Sequence, residues 1–336
     1  QTRVLLAINL SKNGEMNPNA NIETIEDADA NACVAAIERG GTDVWGIAFN
    51  TGHHNPVDPH DVMARGLETA ERSGKPILFG SRMVDDWTLA DQLTLLRPGD
   101  VLTYCFNSRA QNLLEGGQVK QAVRDARRRG ILFDVGHGMA SFTFETSEPC
   151  IAQDFRPDTI SSDQYRRHVG SVPQHDLLRT ISKLIAAGVP ERDAFARATE
   201  RPAELMGLAG EIGTLAPGAC ADLAVLRFSG CAHSCSVSKP TGQGKNGVDR
   251  VTRREAGDGT SDKGVLDLSP APGGVAAGPV AGLGVGCQIR IDPVGHPRLG
   301  LFEFGERTRA DMDSVDDRPH DGASRAAFDD VGVAVL

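Results

Sequence analysis

Short apolar runs alternate with helical segments along the first two thirds of the chain, and this alternation constrains the fold more than any other feature. Residues 4–10 (VLLAINL) are an almost continuous apolar run, which is typical of a strand buried on both faces. Five further strands are predicted at 43–49, 76–81, 100–106, 131–135 and 159–162. Helices are predicted at 22–39, 59–73, 89–96, 118–129, 148–155, 175–187 and 191–200. Such serial βα units build a parallel sheet with helical crossovers, and an open doubly wound sheet and a (β/α)8 barrel both satisfy the pattern.

Polar side chains cluster where the predicted strands end. Their positions are Asn9, Asn50, Ser81, Asn107, His137 and Asp163. In a barrel the carboxyl ends of the strands form the mouth of the active site. An open nucleotide-binding sheet would instead carry a glycine-rich phosphate loop after its first strand, and residues 9–14 contain no G-x-G-x-x-G. The pattern therefore favours a barrel with a site at its mouth.

The chain changes character near Phe228. Beyond this point the glycine content roughly doubles, Trp and Tyr are absent, and residues 269–279 (SPAPGGVAAGP) are of low complexity. Such a segment buries little apolar surface, so we expect residues 229–336 to be disordered or translated out of frame. Just before it, residues 213–225 (GTLAPGACADLAV) predict two strands joined by a Pro-Gly turn, a β-hairpin outside the barrel.

Charge and cysteine content narrow the class of protein. The 336 residues carry a net charge of −10, which argues against a nucleic-acid partner because phosphate binding requires clustered Lys and Arg. No apolar run approaches the roughly 18 residues of a membrane-spanning helix, so no membrane partner is expected. The seven cysteines are scattered, as expected for reduced thiols in a cytoplasmic protein. The chain opens on Gln1 directly before a strand, which we interpret as a truncated start.

Two motifs near the last predicted strands could carry chemistry. The segment 134–142 (DVGHGMASF) places His137 between two glycines at a strand end, where little bulk separates the ring from a cleft. A loop histidine held by a backbone carbonyl is the structural alternative. The next strand ends in Asp163, a carboxylate that can bind a metal or act as a general base. A helix N-cap is the alternative for this aspartate.

Basic side chains after the second motif form a third candidate. Tyr165, Arg166 and His168 follow it in the sequence, and Arg82 lies on a neighbouring strand loop. Arginine matches a carboxylate bidentately, so these residues could clamp an anionic group of a substrate. Surface charge near a helix start is the alternative.

Taken in order, these motifs resemble a known family. The chain is similar to the amidohydrolase superfamily in four successive features. These are GHG-x-x-SF, a strand ending in Ser-Asp, two helices, and G-x-L-x-P-G-x-x-A-D-L-x-V. Within it, the resemblance is to the amidohydrolase/deacetylase family of dihydroorotase-like metallohydrolases. Residues 103–107 (TYCFN) and 3–11 (RVLLAINLS) fit the same family, so the resemblance covers about residues 1–227. It implies a (β/α)8 TIM-type barrel, a small β-sandwich built from both chain ends, and a metal centre at the strand ends.

The resemblance also implies a domain organisation. The six strands become strands 3–8, so residues 1–208 form a partial barrel that lacks its first two strands and the family's His-x-His pair. Residues 209–228 become the hairpin of the small composite domain, and 229–336 the low-complexity tail. Because such a barrel exposes sheet edges, we expect a homo-oligomer.

The metal ligands that the resemblance implies are largely replaced. The family's bridging lysine corresponds to Ala48, one histidine falls near Gly80 or Ser81, and a second corresponds to Tyr104. Asp163 is retained as a metal ligand.

Loss of these ligands limits the cofactor. A binuclear centre needs a bridging anion and about two histidines for each metal, so we expect at most one divalent metal, zinc first, or none. His53 and His54 follow the second strand of this chain and could supply replacement ligands, or could belong to a solvated loop.

The function that the resemblance implies is hydrolysis of an amide or ester bond in a small, carboxylate-bearing molecule. Asp163 would act as general base for the attacking water, while His137 and Tyr104 would orient the substrate or polarise its carbonyl. The substrate-binding residues would be Arg82, Asn107, Tyr165, Arg166 and His168. A metal-free lyase or isomerase on the same barrel and a non-catalytic binding protein stay open as alternatives.

Overall fold

A parallel sheet organises the part of the chain that precedes Phe228. The computed structural model describes residues 3–14, 21–52, 55–138, 141–171, 175–224 and 226–229, together with four short strands further along. The strands up to Phe133 are β1 (Leu6–Asn9), β2 (Val44–Asn50), β3 (Ile77–Gly80), β4 (Val101–Thr103), β5 (Leu114–Glu115), β6 (Gln118–Val119) and β7 (Leu132–Phe133). The short strands β5 and β6 form a hairpin within the connection from β4 to β7.

The sheet follows the order β1-β2-β3-β4-β7, and every neighbouring pair is parallel. Beyond β7, Asp134 forms a parallel bridge with Thr159. The N–H of Val135 donates to the Thr159 carbonyl at 3.2 Å, and the N–H of His137 donates to the Ser161 carbonyl at 3.0 Å. Residues 159–161 therefore extend the sheet beside β7, in the place of a sixth strand. The predicted α/β class with serial parallel strands is confirmed, and the described strands do not close into a ring.

Eight α-helices lie between or beside the strands of the described residues. They are α1 (Ala30–Gly40), α2 (Pro59–Ser73), α3 (Leu89–Leu95), α4 (Gln121–Arg128), α5 (Phe144–Ala152), α6 (Leu177–Ala186), α7 (Glu191–Ala196) and α8 (Glu200–Leu205). The bounds of α2 follow from local signals. Asp58 accepts a hydrogen bond from the His60 N–H at 2.8 Å, and Gly74 ends the helix in the left-handed conformation (φ 66°).

Both faces of the sheet are covered by apolar side chains. One face joins the helices in a large cluster that includes Ile47, Phe49, Ile77, Phe79, Leu102 and Phe133. The other face carries the small cluster Ala7, Trp45, Leu78 and Val101, against which Leu205 and Met206 pack at the end of α8. Two-sided burial is what parallel sheets require, and it accounts for the continuous apolar runs in the sequence.

Several predicted elements differ in extent from those observed. The helix predicted at 148–155 is α5, which begins earlier because the Thr143 hydroxyl accepts a hydrogen bond from the Thr146 N–H and caps its first turn. The strand predicted at 159–162 makes one regular bridge, since its side-chain hydroxyls donate hydrogen bonds to the Asp134 carboxylate.

Short antiparallel pairs follow α8. The strands are β8 (Asp222–Leu223), β9 (Leu226–Ser229), β10 (Asp267–Pro270), β11 (Cys287–Gln288), β12 (Arg290–Ile291) and β13 (Pro297–Arg298), paired as β8 with β11, β9 with β10, and β12 with β13. The strand expected before the Pro-Gly turn is not formed, because Gly213 (φ 72°) turns the chain against the Thr199 carbonyl. The rest of 229–336 lies outside the described residues, so the domain boundaries and the disordered tail stay predictions.

The helices of the described residues are too short or too polar to cross a membrane.

Candidate functional site

The segment Gly136-His137-Gly138 brings the three predicted catalytic residues together. A Cβ on Gly136 would lie 2.7 Å from Cδ1 of Tyr104, so only glycine leaves room for that ring. A Cβ on Gly138 would overlap Oδ2 of Asp163. The two glycines thus adjoin the phenol ring on one side and the carboxylate on the other, with His137 between them in the sequence. This cluster lies at the carboxyl ends of β4, β7 and residues 159–161.

Asp134 forms hydrogen bonds that connect the strand segments carrying the cluster. Its carboxylate accepts hydrogen bonds from the hydroxyls of Thr103 at 2.8 Å, Thr159 at 2.7 Å and Ser161 at 2.6 Å. The Ser161 hydroxyl in turn accepts from the Gly136 N–H at 3.1 Å. Burial raises the pKa of Asp134, while the three hydroxyl donors act in the opposite direction. Asp134 therefore sets the spacing of the strand ends.

Tyr104 stands directly after β4 in the left-handed backbone region (φ 62°). Its ring lies between two neighbouring strand ends, because a Cβ on Gly80 would also fall only 3.1 Å from Cε2 of the ring. Asn107 stabilises this turn through its side-chain N–H, which donates to the Tyr104 carbonyl at 2.9 Å. A bulky residue in this conformation is unusual, and the surrounding contacts hold it there.

Asp163 is the second polar residue of the cluster in the left-handed region (φ 47°). Asp tolerates this conformation better than most residues. The preceding residue, Ser162, is held by His175, whose Nε2 lies 2.8 Å from the Ser162 carbonyl. The turn directs the carboxylate toward Gly138, beside the Ser141 hydroxyl.

His137 is buried and fixed from several directions. Its Nε2 lies 2.8 Å from Nζ of Lys183, a residue on the buried face of α6. The imidazole stacks on Phe142, with ring centroids 5.1 Å apart and planes 20° apart, and meets His175 edge-on at 5.1 Å. Burial, and then the nearby Lys183 charge, hold the pKa of His137 well below its ordinary value. The ring is therefore neutral near pH 7.

The predicted substrate-binding residues divide into two groups, of which the first is engaged within the protein. Arg82 pairs with Asp86 and donates to the carbonyls of Thr51 and Gly52 at 3.2 and 3.1 Å. Asn107 shapes the turn after β4, as described above. A contact of Arg82 with substrate would have to replace one of these bonds, and its binding role stays a prediction.

The second group follows Asp163. Arg166 and His168 belong to a short 3-10 turn, where Arg166 is exposed and His168 is buried. Nδ1 of His168 accepts from the Tyr165 N–H at 3.1 Å, and its ring lies 4.2 Å from that of His175. Tyr165 is exposed and packs edge-on against His168. The turn extends the cluster toward solvent, where an anionic group of a substrate could meet it.

The described residues do not fit a metal centre of the family's type. Within the ranges that the structure covers, no three His, Cys, Asp or Glu side chains lie close enough together to hold an ion. Ala48 offers only a methyl group on β2, and the aromatic ring of Tyr104 fills the space beside Gly80. His53 and His54 lie outside the described residues. The carboxylate of Asp163, the predicted metal ligand, would by itself leave such a site incomplete.

Sequence reasoning missed three residues that shape the site: Asp134, His175 and Lys183. Asp134 stood inside the motif but was given no role. Lys183 carried a usable signal, since it lies between Ile181 and Leu184 in the buried stretch of α6. Lysine is seldom buried unless it is paired, so a lysine at this position indicates a buried polar partner. His175 carried no such signal, because it precedes a helix among other polar residues.

Two depressions in the surface differ in their relation to this cluster. One of about 370 Å³ lies between Ile25 and α2, away from the strand ends, and is lined by the Arg65–Glu68 ion pair. The other, of about 10 Å³, adjoins the cluster and is lined by His137, His175, Asp176, Arg179, Thr180 and Lys183. It has room for about one water molecule.

Comparison with known proteins gives consistent matches. The Amidohydrolase family matches residues 144–247. A deacetylase of Enterococcus faecalis is 31% identical over 169 residues, which is 50% of this chain and 44% of that protein. A deacetylase of Brucella anthropi is 34% identical over 134 residues, or 40% of this chain and 33% of that protein. The chain thus spans less than half the length of these curated relatives.

Solved structures agree. A crystal structure of a dihydroorotase has a TM-score of 0.60 at 26% identity, covering 70% of this chain and 63% of that one. A crystal structure of an adenine deaminase has a TM-score of 0.65 at 23% identity, covering 80% and 67%, which shows a shared fold. Together these matches support the assignment of the chain to the amidohydrolase superfamily. The resemblance to dihydroorotase-like and deacetylase-like members is confirmed at that level.

Proposed function

We propose that the chain belongs to an enzyme that hydrolyses the amide C–N bond of a small N-acylated, carboxylate-bearing molecule. The observation that carries this proposal is the juxtaposition of Tyr104 and Asp163 on either side of residues 136–138. Hydrolysis needs a base for water and donors for the carbonyl oxygen, and the cluster holds residues of both types. The names of the deacetylase relatives support the choice of an acyl-nitrogen bond. An ester is the second bond type that this chemistry would cleave.

In the proposed reaction Asp163 takes a proton from water as the water oxygen attacks the carbonyl carbon. The carbonyl electrons move to oxygen, and the imidazole N–H of His137 and the phenol of Tyr104 donate hydrogen bonds to that oxygen. The C–N bond then breaks, and Asp163 returns the proton to the leaving nitrogen. The products are a carboxylic acid and an amine, so one water is consumed in each turnover. Arg166 and the exposed turn around it would bind the substrate's own carboxylate.

Exchange of Asp163 tests this role, with Asp154 as a matched control. Both aspartates have left-handed backbone conformations (φ 47° and 58°), and Asn tolerates that region, so both variants should fold. Asp163→Asn removes the base and should lower the release of amine from N-acetyl amino acids by about 100-fold or more. Asp154→Asn should retain activity within about twofold, as expected for an exposed position.

The same variants separate the alternatives. Retained ligand binding with lost turnover in Asp163→Asn supports an enzyme, whereas a wild-type chain that binds N-acyl amino acids without hydrolysing them would point to a binding protein. A wild-type chain that neither binds nor cleaves them would overturn the proposal. Tyr104→Phe is expected to lower turnover by about 10- to 100-fold, because it removes one donor to the carbonyl oxygen.

The expected metal content is at most one divalent ion for each chain, with zinc as the first candidate. Elemental analysis of the purified chain measures this directly. Two ions bound for each chain would contradict the expectation, since the resemblance implies that Ala48 and Tyr104 stand where the family has two of its metal ligands.

A further inference from the structure

Lys183 forms a buried pair with His137, and the proposed reaction assigns no role to this lysine. Their side chains are 7% and 8% exposed, and Nζ lies 2.8 Å from Nε2. The pair joins α6 to the segment after β7, and therefore links a helix to the centre of the site. A lysine placed this deeply costs free energy of folding unless its hydrogen bonds repay the loss of water.

The chemistry of the two groups fixes the direction of the hydrogen bond. An amine is a stronger base than an imidazole by about four pKa units, so the proton of the pair belongs on lysine. An ammonium group has donors and no acceptor. Nε2 of His137 must then accept, which places the remaining ring proton on Nδ1.

The other ring nitrogen has no hydrogen-bond partner among the described residues, although it is buried. A buried donor without a partner costs about 1–3 kcal/mol. Such an atom therefore points to a ligand oxygen or a water as its missing partner. The cavity beside the pair has room for about one water, and the ring cannot turn away easily because Phe142 stacks on it.

We propose that Lys183 is a positioning residue: it donates to Nε2 of His137, holds the ring in the Nδ1–H tautomer and so presents Nδ1–H to a substrate oxygen. The catalytic part of this inference rests on the proposed hydrolysis, whereas the tautomer does not.

The charges around the pair agree with a neutral ring. The groups that face His137 are Lys183 and Arg179 on α6 and His175 before it, with the Asp176 carboxylate at the start of the same helix. No ion pair joins Arg179 to an acid within the described part of the chain. The local excess of positive charge opposes protonation of the imidazole. The ring is therefore neutral, and its single N–H is the one on Nδ1.

Nuclear magnetic resonance of protein labelled with ¹⁵N-histidine tests the tautomer. The signals of His137 are identified by their loss in His137→Gln. Between pH 6 and 8 we expect the pattern of a neutral ring protonated on Nδ1. Lys183→Met removes the donor at nearly constant length and should shift the ring toward the Nε2–H tautomer. Lys183→Gln retains an N–H donor on a side chain one bond shorter and should preserve the wild-type pattern. An Nε2–H ring in the wild type, or an unchanged ring in Lys183→Met, would overturn the inference.

Kinetics on the same variants test the catalytic part. Lys183→Met should lower kcat by about 100-fold, the usual cost of one lost donor to the reacting oxygen, with KM changed by less than about threefold. Lys183→Gln should recover most of kcat. Lys12→Met, which removes an exposed lysine, is the control and should match the wild type. Absence of any hydrolysis in the wild type would refute the proposed function alone, because the tautomer is measured without turnover.

Discussion

Replacement of Asp134 by alanine should destabilise the chain more than most single substitutions. The carboxylate accepts three hydroxyl hydrogen bonds of 2.6 to 2.8 Å, and it is buried. Each buried polar group that loses its partner costs about 1–3 kcal/mol, and partial re-pairing of the hydroxyls brings the expected total to about 3–5 kcal/mol. That loss is a large part of the roughly 5–15 kcal/mol by which domains are stable.

Urea unfolding followed by circular dichroism measures this loss. Asp125→Ala is the control, because it removes a half-exposed carboxylate from α4 and should cost less than about 1 kcal/mol. Asp134→Asn should cost only about 1–2 kcal/mol, since the amide keeps the size and most of the hydrogen bonds. A loss below about 1 kcal/mol in Asp134→Ala, or one equal to that of the control, would refute the view that this carboxylate joins the strand ends.

The pH dependence provides a second check on Asp134. Burial raises the pKa of Asp134 in the folded chain, so the folded state binds a proton above pH 3.8 that the unfolded state has lost. Its contribution to the free energy of unfolding is therefore largest below pH 3.8 and declines as the pH rises through the folded pKa. Asp134→Asn should remove this slope, and an unchanged slope would contradict the assignment.

Three further predictions concern other parts of the site and core. Gly138→Ala should displace the Asp163 carboxylate and lower turnover by about 100-fold, with a change below about 1 kcal/mol in urea unfolding; full activity would contradict the contact. Because the pKa of His137 lies well below 6.5 when folded, the free energy of unfolding should fall as the pH drops below 6.5, and His137→Gln should flatten this trend. Burial raises the pKa of Cys33 to about 12, so mass spectrometry after iodoacetamide treatment at pH 8 should find Cys33 unmodified and the half-buried Cys220 alkylated.

Local patterns in the sequence were enough to predict the sheet and much of the helical framework. The helix at 59–73 was predicted at its observed bounds because a capping aspartate and a terminal glycine are adjacent to it in the sequence. The strands were visible because burial on both faces leaves continuous apolar runs. The strand at 159–162 was less regular than predicted, since its side-chain hydroxyls donate hydrogen bonds to Asp134.

The site was predictable only in its separate parts. The motif around His137 and the aspartate at 163 were found because each is distinctive within a few residues. The bonds from Asp134 to Thr103 and Ser161 span 31 and 27 positions, and the contact of Lys183 with His137 spans 46. Such pairs depend on how the strands and α6 pack against each other. The sequence pattern within one segment therefore does not predict them.

The close fit of the Tyr104 ring beside Gly80 has a consequence for how this sequence can change. A larger side chain at position 80 meets the ring and Asn50, so Gly80→His is unfavourable while Tyr104 is present. Replacing Tyr104 by a smaller residue relieves the contact with its ring, while the Cβ of Asn50, 2.6 Å from the added Cβ, still opposes the second substitution. The effects of the two substitutions are therefore not additive, as expected for residues in contact. A mutational route toward histidine at position 80 therefore has to move both the ring at position 104 and the side chain of Asn50.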